Sequence, residues 1–274
     1  MTDMTTARGF SGKMLFVIGA SIVLIAAVTS REGNRNLTFH EEYAIAVGAV
    51  AILVATIALV LLKSRPESMC KELIRIRATS VDTQHFIAAF LCLWWLVGTT
   101  IITFKAPFTI SGNGYFAAWA GLLASAMALG EAGTMWGEST SRATSPTVAL
   151  LTSSVMVVLA LLILHEDRNR KSMDDESVFG LISACFTILC CAVWLCFPSR
   201  LPEGLPKIIA IILLLLWMAT AGILTFRAPF IITGNGYFAS WAGLIFAVML
   251  FSELVLHETI TVRADVETGT IPQK

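Results

Sequence analysis

Eight blocks of mostly apolar residues, each of about 16–20 residues, recur along this chain of 274 residues. A helix of about 20 residues spans roughly 30 Å, which is the thickness of the hydrocarbon core of a bilayer. Only 14% of the residues are charged, against about a quarter in soluble domains. We therefore predict an all-α polytopic membrane protein with eight transmembrane helices. The predicted spans are Met14–Thr29, Tyr43–Leu62, Phe86–Phe104, Tyr115–Leu129, Thr147–Leu164, Val178–Phe197, Ile208–Phe226 and Ala239–Leu256.

A long internal repeat divides the chain into two similar halves. Thr103–Leu122 (TFKAPFTISGNGYFAAWAGL) recurs 122 residues later as Thr225–Leu244 (TFRAPFIITGNGYFASWAGL), with sixteen of twenty positions identical. The first two blocks match the fifth and sixth at a larger offset of about 134–135, because the loop Lys63–His85 is longer than its counterpart. Self-similarity at a regular offset indicates a duplicated structural unit. We predict two four-helix repeats, residues 1–142 and residues 143–274, the second ending in a short polar tail.

The number of helices in each repeat sets its orientation in the membrane. Four is an even number, so both repeats are expected to insert the same way up, as parallel repeats about an axis along the membrane normal. With the N-terminus inside, twelve of the nineteen Lys and Arg residues lie on the inner side, as the positive-inside rule favours. We predict cytoplasmic termini in a plasma membrane or endomembrane, with both motif copies outside. The glycosylation sequon that begins at Asn36 lies on the same side, and the sequence does not determine whether Asn36 carries a glycan.

The repeated motif predicts a turn between two helices. A cation is followed by a proline that ends the first helix, and by Gly-Asn-Gly, in which the asparagine is a good N-cap for the second helix. The aromatic residues that follow are typical of the membrane–water interface. The candidate residues are Lys105, Pro107, Gly112, Asn113, Gly114, Tyr115 and Trp119 in the first copy, and Arg227, Pro229, Gly234, Asn235, Gly236, Tyr237 and Trp241 in the second.

Three interpretations of this motif stay open. It is either a structural hairpin alone, or an electropositive rim for an anion or lipid headgroup, or a contact surface between neighbouring copies of the protein. In the second interpretation, the helix N-termini beside Lys105 and Arg227 form the electropositive rim. The expected partners are membrane lipids and the protein itself, as a homo-oligomer or cluster. A net charge of zero gives no reason to expect nucleic acid.

Two acidic residues also match between the repeats. Glu131 and Glu253 each lie twelve residues after the motif tryptophan, about 18 Å farther along a helix. Acidic residues within a membrane are costly and often functional. They are consistent with a cation or proton pathway, or with carboxylates that reach water at the inner surface.

Two inner segments carry separate expectations. The alternation in Glu67–Arg77 predicts a short amphipathic helix on the inner leaflet, and Glu138–Pro146 is expected to be a flexible linker. Cys70 lies in the first segment and the other five cysteines lie in apolar blocks, so no disulfides are expected.

Enzyme signatures are absent from the sequence, because no His or Cys spacing suits a metal site and no nucleophile–base pair is evident. We expect no catalytic residues, no cofactor and no metal. The sequence favours a non-enzymatic, membrane-organising or scaffold protein whose repeated turn mediates lateral or lipid-headgroup contacts. In topology alone, the four-helix unit with short outer turns and inner termini resembles tetraspanning families such as the MARVEL-domain proteins. The alternative is a small pseudo-symmetric transporter or channel with a pathway between the repeats that uses Glu131 and Glu253.

Overall fold

The computed structural model describes residues 2–30, 36–69, 72–76, 79–132, 138–168, 172–197, 201–202 and 204–256. Within these ranges the chain is almost entirely helical. The helices are α1 (Thr2–Thr29), α2 (Phe39–Ser64), α3 (Pro66–Met69), α4 (Thr83–Phe104), α5 (Asn113–Ala132), α6 (Glu138–Arg168), α7 (Asp175–Cys196), α8 (Leu205–Gly222) and α9 (Asn235–Phe251). Short π-helical turns, Ile223–Arg227 and Ser252–Leu256, continue α8 and α9.

Among the described residues, seven helices are long and apolar enough to cross a membrane. Their outward faces carry large exposed apolar side chains, as lipid-facing helices do. The chain is therefore an integral multi-pass membrane protein. The predicted span Tyr115–Leu129 forms α5, which is not among the seven. The spans are Gly9–Thr29, Phe39–Ser64, Thr83–Phe104, Ala143–Asp167, Asp175–Cys196, Leu205–Arg227 and Asn235–Leu256.

The chain divides into two compact units, Met1–Gly137 (unit 1) and Glu138–Lys274 (unit 2). In unit 1, α1 packs against α2 and α5, and α4 packs against the same two helices. In unit 2, α6 packs against α7 and α9, and α8 packs against the same two helices. Each unit is thus a ring of four long helices in which the first helix contacts the last.

Small residues and polar side chains join the helices of each ring. On α2, Ala44, Ala51, Ala55 and Ala58 are fully buried, so that neighbouring helices approach closely. The Trp94 indole N–H on α4 donates to the Val47 carbonyl on α2 (3.1 Å), and the Thr99 hydroxyl on α4 donates to the Ala118 carbonyl on α5 (2.9 Å). In unit 2, the Trp217 indole N–H on α8 donates to the Thr187 hydroxyl on α7 (3.1 Å).

The amphipathic helix predicted for Glu67–Arg77 is wrong. The helix α3 ends at Met69, and Glu72–Ile76 forms strand β1, which pairs antiparallel with strand β2, Thr79–Asp82. An alternation of apolar and basic residues has the period of a strand, two residues, rather than that of a helix. Cys70, Lys71 and Arg77 lie outside the described residues.

The flexible linker predicted at Glu138–Pro146 is also wrong, because α6 begins at Glu138 and runs through Pro146. Residues 143–150 are all buried within unit 2. The Thr147 hydroxyl donates to the Ala143 carbonyl one turn earlier (2.6 Å), which gives it a hydrogen-bond partner inside the apolar bundle. Buried hydroxyls of this kind are part of the helix packing and not an exposed connection.

Candidate functional site: two matching helix–helix turns

The two motif copies adopt the same backbone course between their helices. In each, the last helical turn widens, and the chain passes through a cis alanine–proline peptide bond, Ala106–Pro107 or Ala228–Pro229. The backbone hydrogen bonds that close the turns match pair for pair. They join the Ala106 N–H to the Ile101 carbonyl (3.3 Å), Phe108 to Ile102 (3.0 Å), Ala228 to Ile223 (3.3 Å) and Phe230 to Leu224 (2.8 Å).

A phenylalanine locks each turn against the helix that follows it. Phe108 and Phe230 are buried, with 6% and 8% of their surface exposed. The second glycine of each Gly-Asn-Gly, Gly114 or Gly236, lies directly against this ring, so that a Cβ there would overlap the phenylalanine. The glycine is thus required for close packing.

The asparagines are not the N-caps that the sequence predicted. The N-cap of α9 is Gly234, whose carbonyl accepts the first helical hydrogen bond from the Phe238 N–H (3.0 Å). The Gly112 carbonyl accepts the equivalent bond in α5, from the Phe116 N–H (2.9 Å). Each asparagine is instead the first residue of its helix, exposed at position 113 and buried at position 235.

A tryptophan–glycine contact joins the two helices that each turn connects. Trp95 on α4 and Trp217 on α8 are fully buried. Gly121 on α5 and Gly243 on α9 lie so close to these rings that a Cβ at either glycine would overlap the indole. The same contact therefore joins α4 to α5 and α8 to α9.

Each turn exposes an aliphatic side chain at its tip and a cation at its start. Ile110 and Ile232 are 81% and 78% exposed. Lys105 and Arg227 are exposed at the start of each turn. Each turn thus has a buried base and exposes an apolar side chain and a cation.

The motif aromatics differ in exposure between the two copies. Tyr115 and Trp119 are buried inside unit 1, with 1% and 5% of their surface exposed, so the interfacial belt predicted for them is wrong. Tyr237 and Trp241 are only partly buried in unit 2. The Trp241 ring contacts Tyr237 (ring centroids 6.4 Å apart) and, edge to face, Phe226 (6.3 Å), whose side chain is 76% exposed.

An acidic side chain accompanies the cation in unit 2. The Arg227 Nε lies 4.0 Å from Glu176 Oε1, at the start of α7, and the two side chains are 73% and 29% exposed. Both charges are therefore accessible at the same end of the unit.

The matched acids also have different surroundings. The Glu131 carboxylate lies 3.3 Å from the Lys13 ammonium and rests against Gly9 of α1. Glu253 lies in the π-helical turn that follows α9, and it has no ion pair or hydrogen bond within the part of the chain that the structure describes. The two carboxylates are thus not equivalent.

Several residues that make the contacts described above were not singled out from the sequence. Phe108 and Phe230 lie inside the motif, and their repetition was the available signal. Lys13 and Glu176 lie far from their partners along the chain, and no spacing pattern connects them. Among the described residues, no cluster of His, Cys, Asp or Glu could hold a metal ion.

Together, the helices and turns define an integral membrane protein with two turns whose backbone hydrogen bonds match. No family model, curated protein or solved structure matches this chain.

Proposed function

We propose that this protein is a non-enzymatic membrane-organising protein whose two turns contact lipid headgroups at the outer surface. The observation that carries the proposal is the shared design of the turns. Each has a phenylalanine packed tightly beneath it, while its cation and its isoleucine point outward. A cation near a membrane surface attracts anionic headgroups, and an exposed aliphatic side chain suits the boundary between headgroups and acyl chains.

The topology behind this proposal is eight spans in two parallel repeats. Here α5, the fourth helix of unit 1, also crosses the membrane and brings the number of spans to eight; α1 and α4 shelter it from lipid, which explains its content of small residues. Because a buried helix contacts other helices and not lipid, it needs fewer large apolar side chains. Labelling with a membrane-impermeant maleimide tests this in a cysteine-free background. Ser111→Cys and Thr233→Cys should label from one side and Ser64→Cys from the other, and labelling of Ser111 and Thr233 from opposite sides would contradict it.

Removing the two cations tests lipid contact. We expect Lys105→Gln/Arg227→Gln to lower the amount of phospholipid retained by the purified protein several-fold, because each substitution removes a cation that attracts headgroup phosphates. Native-membrane imaging should show weaker clustering. Lys63→Gln/Arg65→Gln is the control for loss of charge away from the turns, because these exposed cations lie at the far end of α2, and it should leave clustering unchanged. Unchanged lipid retention and unchanged clustering in the first variant would remove the proposal.

A transporter or channel is the second candidate, and Glu253, which has no ion pair among the described residues, favours it. Lys13 weighs against Glu131 as a cation site, because a transported cation would have to replace the lysine ammonium. If transport is the function, Glu253→Gln should abolish proton- or cation-dependent flux in proteoliposomes while the melting temperature stays unchanged. Absence of flux in wild-type proteoliposomes at every cation and pH tested would eliminate this candidate.

A further inference from the structure

We propose that the outer end of unit 2 binds the headgroup of a choline phospholipid. This inference rests on the lipid contact proposed above and names the lipid. A phosphocholine headgroup carries a phosphate and a quaternary ammonium a short distance apart. A matching site therefore needs a cation, an anion and aromatic rings at one place on the membrane surface.

The charged part of this site consists of Arg227 and Glu176. Their 4.0 Å separation is longer than a tight ion pair, and the guanidinium is largely exposed. The guanidinium retains donors that suit a phosphate, because its planar fork binds phosphate oxygens. The Glu176 carboxylate, partly exposed beside it, suits the quaternary ammonium. A purely anionic lipid would meet that carboxylate as a repulsive charge.

The aromatic part consists of Phe226, Trp241 and Tyr237, linked by the ring contacts described above. Phe226 immediately precedes Arg227 and is 76% exposed. Aromatic faces attract quaternary ammonium groups through cation–π interactions, which strengthen where water is displaced. An ethanolamine headgroup keeps a compact, strongly hydrated ammonium, so these rings favour choline.

The position of these residues along α8 suits a headgroup. Exposed apolar residues form a helical stripe on α8: Ile208, Ile211, Leu215 and Met218. Phe226 lies 18 residues after Ile208, or about 27 Å along the helix, close to the hydrocarbon thickness. Phe226 therefore lies at the hydrocarbon boundary and Arg227 at the level of the phosphates.

Unit 1 provides an internal comparison. Its equivalent rings, Tyr115 and Trp119, are buried and offer no accessible face to a lipid ammonium. We expect the choline preference to belong to unit 2 alone, although both turns contact lipid.

The experiment uses the full chain in nanodiscs with equal amounts of phosphatidylcholine, phosphatidylethanolamine and phosphatidylglycerol of identical acyl chains. Native mass spectrometry then measures the lipids retained. We expect wild-type protein to retain choline lipid about 3- to 10-fold over ethanolamine lipid, as one aromatic site contributes. Phe226→Leu and Glu176→Gln should each remove most of this preference, and Phe104→Leu, at the matching position in unit 1, should leave it intact. Because Glu176→Gln keeps the side-chain volume, it tests the proposal even if Phe226→Leu lowers the melting temperature.

The outcomes separate this proposal from the one on which it rests. Retention of lipid with no choline preference, or with a preference for the glycerol headgroup, overturns the choline site and leaves lipid contact standing. An equal loss of preference in Phe104→Leu and Phe226→Leu also overturns it. Failure of wild-type protein to retain any lipid overturns the proposed function itself.

Discussion

The ammonium nitrogen of Lys13 lies 3.3 Å from the carboxylate of Glu131, and this ion pair joins the first helix of unit 1 to its last. Each side chain is about a quarter exposed. The offset of about 134 between the first helices places Thr147 at the position of Lys13, while Glu253 corresponds to Glu131. Both segments therefore carry the carboxylate, and only the first carries a lysine at the matching position.

Breaking this ion pair should destabilise unit 1. Exposed pairs contribute about 0–1 kcal/mol, and removal of one partner of a buried pair costs about 3–5 kcal/mol, so we expect about 1–2 kcal/mol for Lys13→Gln or Glu131→Gln. The melting temperature of purified protein in detergent measures this. The double variant should cost less than the sum of the single variants, because it leaves no unpaired charge. A strictly additive double variant would contradict the ion pair, and Glu253→Gln serves as the control that should have little effect.

Alanine at Gly121 or Gly243 should be strongly destabilising. The new methyl group would overlap the indole of Trp95 or Trp217, and overpacking of this kind costs about 1–3 kcal/mol. Thermal unfolding in detergent measures the loss for each variant. A smaller side chain should relieve the overlap, so Gly121→Ala should cost less stability in a Trp95→Leu background than in the wild-type protein if the clash is the cause.

Two other helical glycines provide matched controls for this prediction. A Cβ at Gly19 or Gly222 would meet no atom within 4 Å. Alanine there should be neutral or stabilising by up to about 1 kcal/mol, because it restricts the unfolded backbone. Equal losses at Gly19 and Gly121 would show that helix flexibility, rather than contact with tryptophan, explains the effect.

Local sequence was sufficient to predict most of the helices. Apolar length alone located the seven helices that can span a membrane, because that property belongs to a contiguous segment. The helix expected at Glu67–Arg77 was wrong because the alternation of apolar and basic residues there suits a strand, which pairs with Thr79–Asp82. The ion pair between Lys13 and Glu131 joins residues 118 apart, and no periodicity records such a contact.

The candidate site shows the same limit more sharply. Tyr115 and Tyr237 lie in nearly identical sequences, yet the first is buried and the second is partly exposed. Since the local sequence is nearly the same, the difference must come from the neighbouring helices, whose sequences differ between the units. The motif therefore predicted that each copy is a turn between two helices, and it could not predict which aromatic rings would be accessible.

The turn glycines should differ sharply from each other in tolerance. Alanine at Gly114 would overlap the Phe108 ring, whereas the nearest atom to a Cβ at Gly112 is 4.0 Å away. We expect Gly114→Ala to lower the free energy of unfolding by about 1–3 kcal/mol and to alter the turn, with a much smaller effect for Gly112→Ala. Limited proteolysis at the turn, together with thermal unfolding, measures both effects. Comparable protease sensitivity in the two variants would argue against the phenylalanine–glycine contact.

The buried tryptophans Trp95 and Trp217 differ in the hydrogen bonding of their indole N–H groups. The buried Trp217 N–H donates to the Thr187 hydroxyl, whereas the buried Trp95 N–H has no hydrogen-bond partner among the described residues. Thr187→Val removes the acceptor and keeps the shape, so the Trp217 N–H is left unsatisfied at a cost of about 1–3 kcal/mol. Trp95→Phe removes the unpaired N–H, which recovers that desolvation energy, and it also removes ring contacts. The free energy of unfolding should therefore fall less for Trp95→Phe than for Trp217→Phe. Thermal unfolding of the three variants measures this order, and an equal loss for the two Trp→Phe variants would show that ring packing alone determines the stability of both sites.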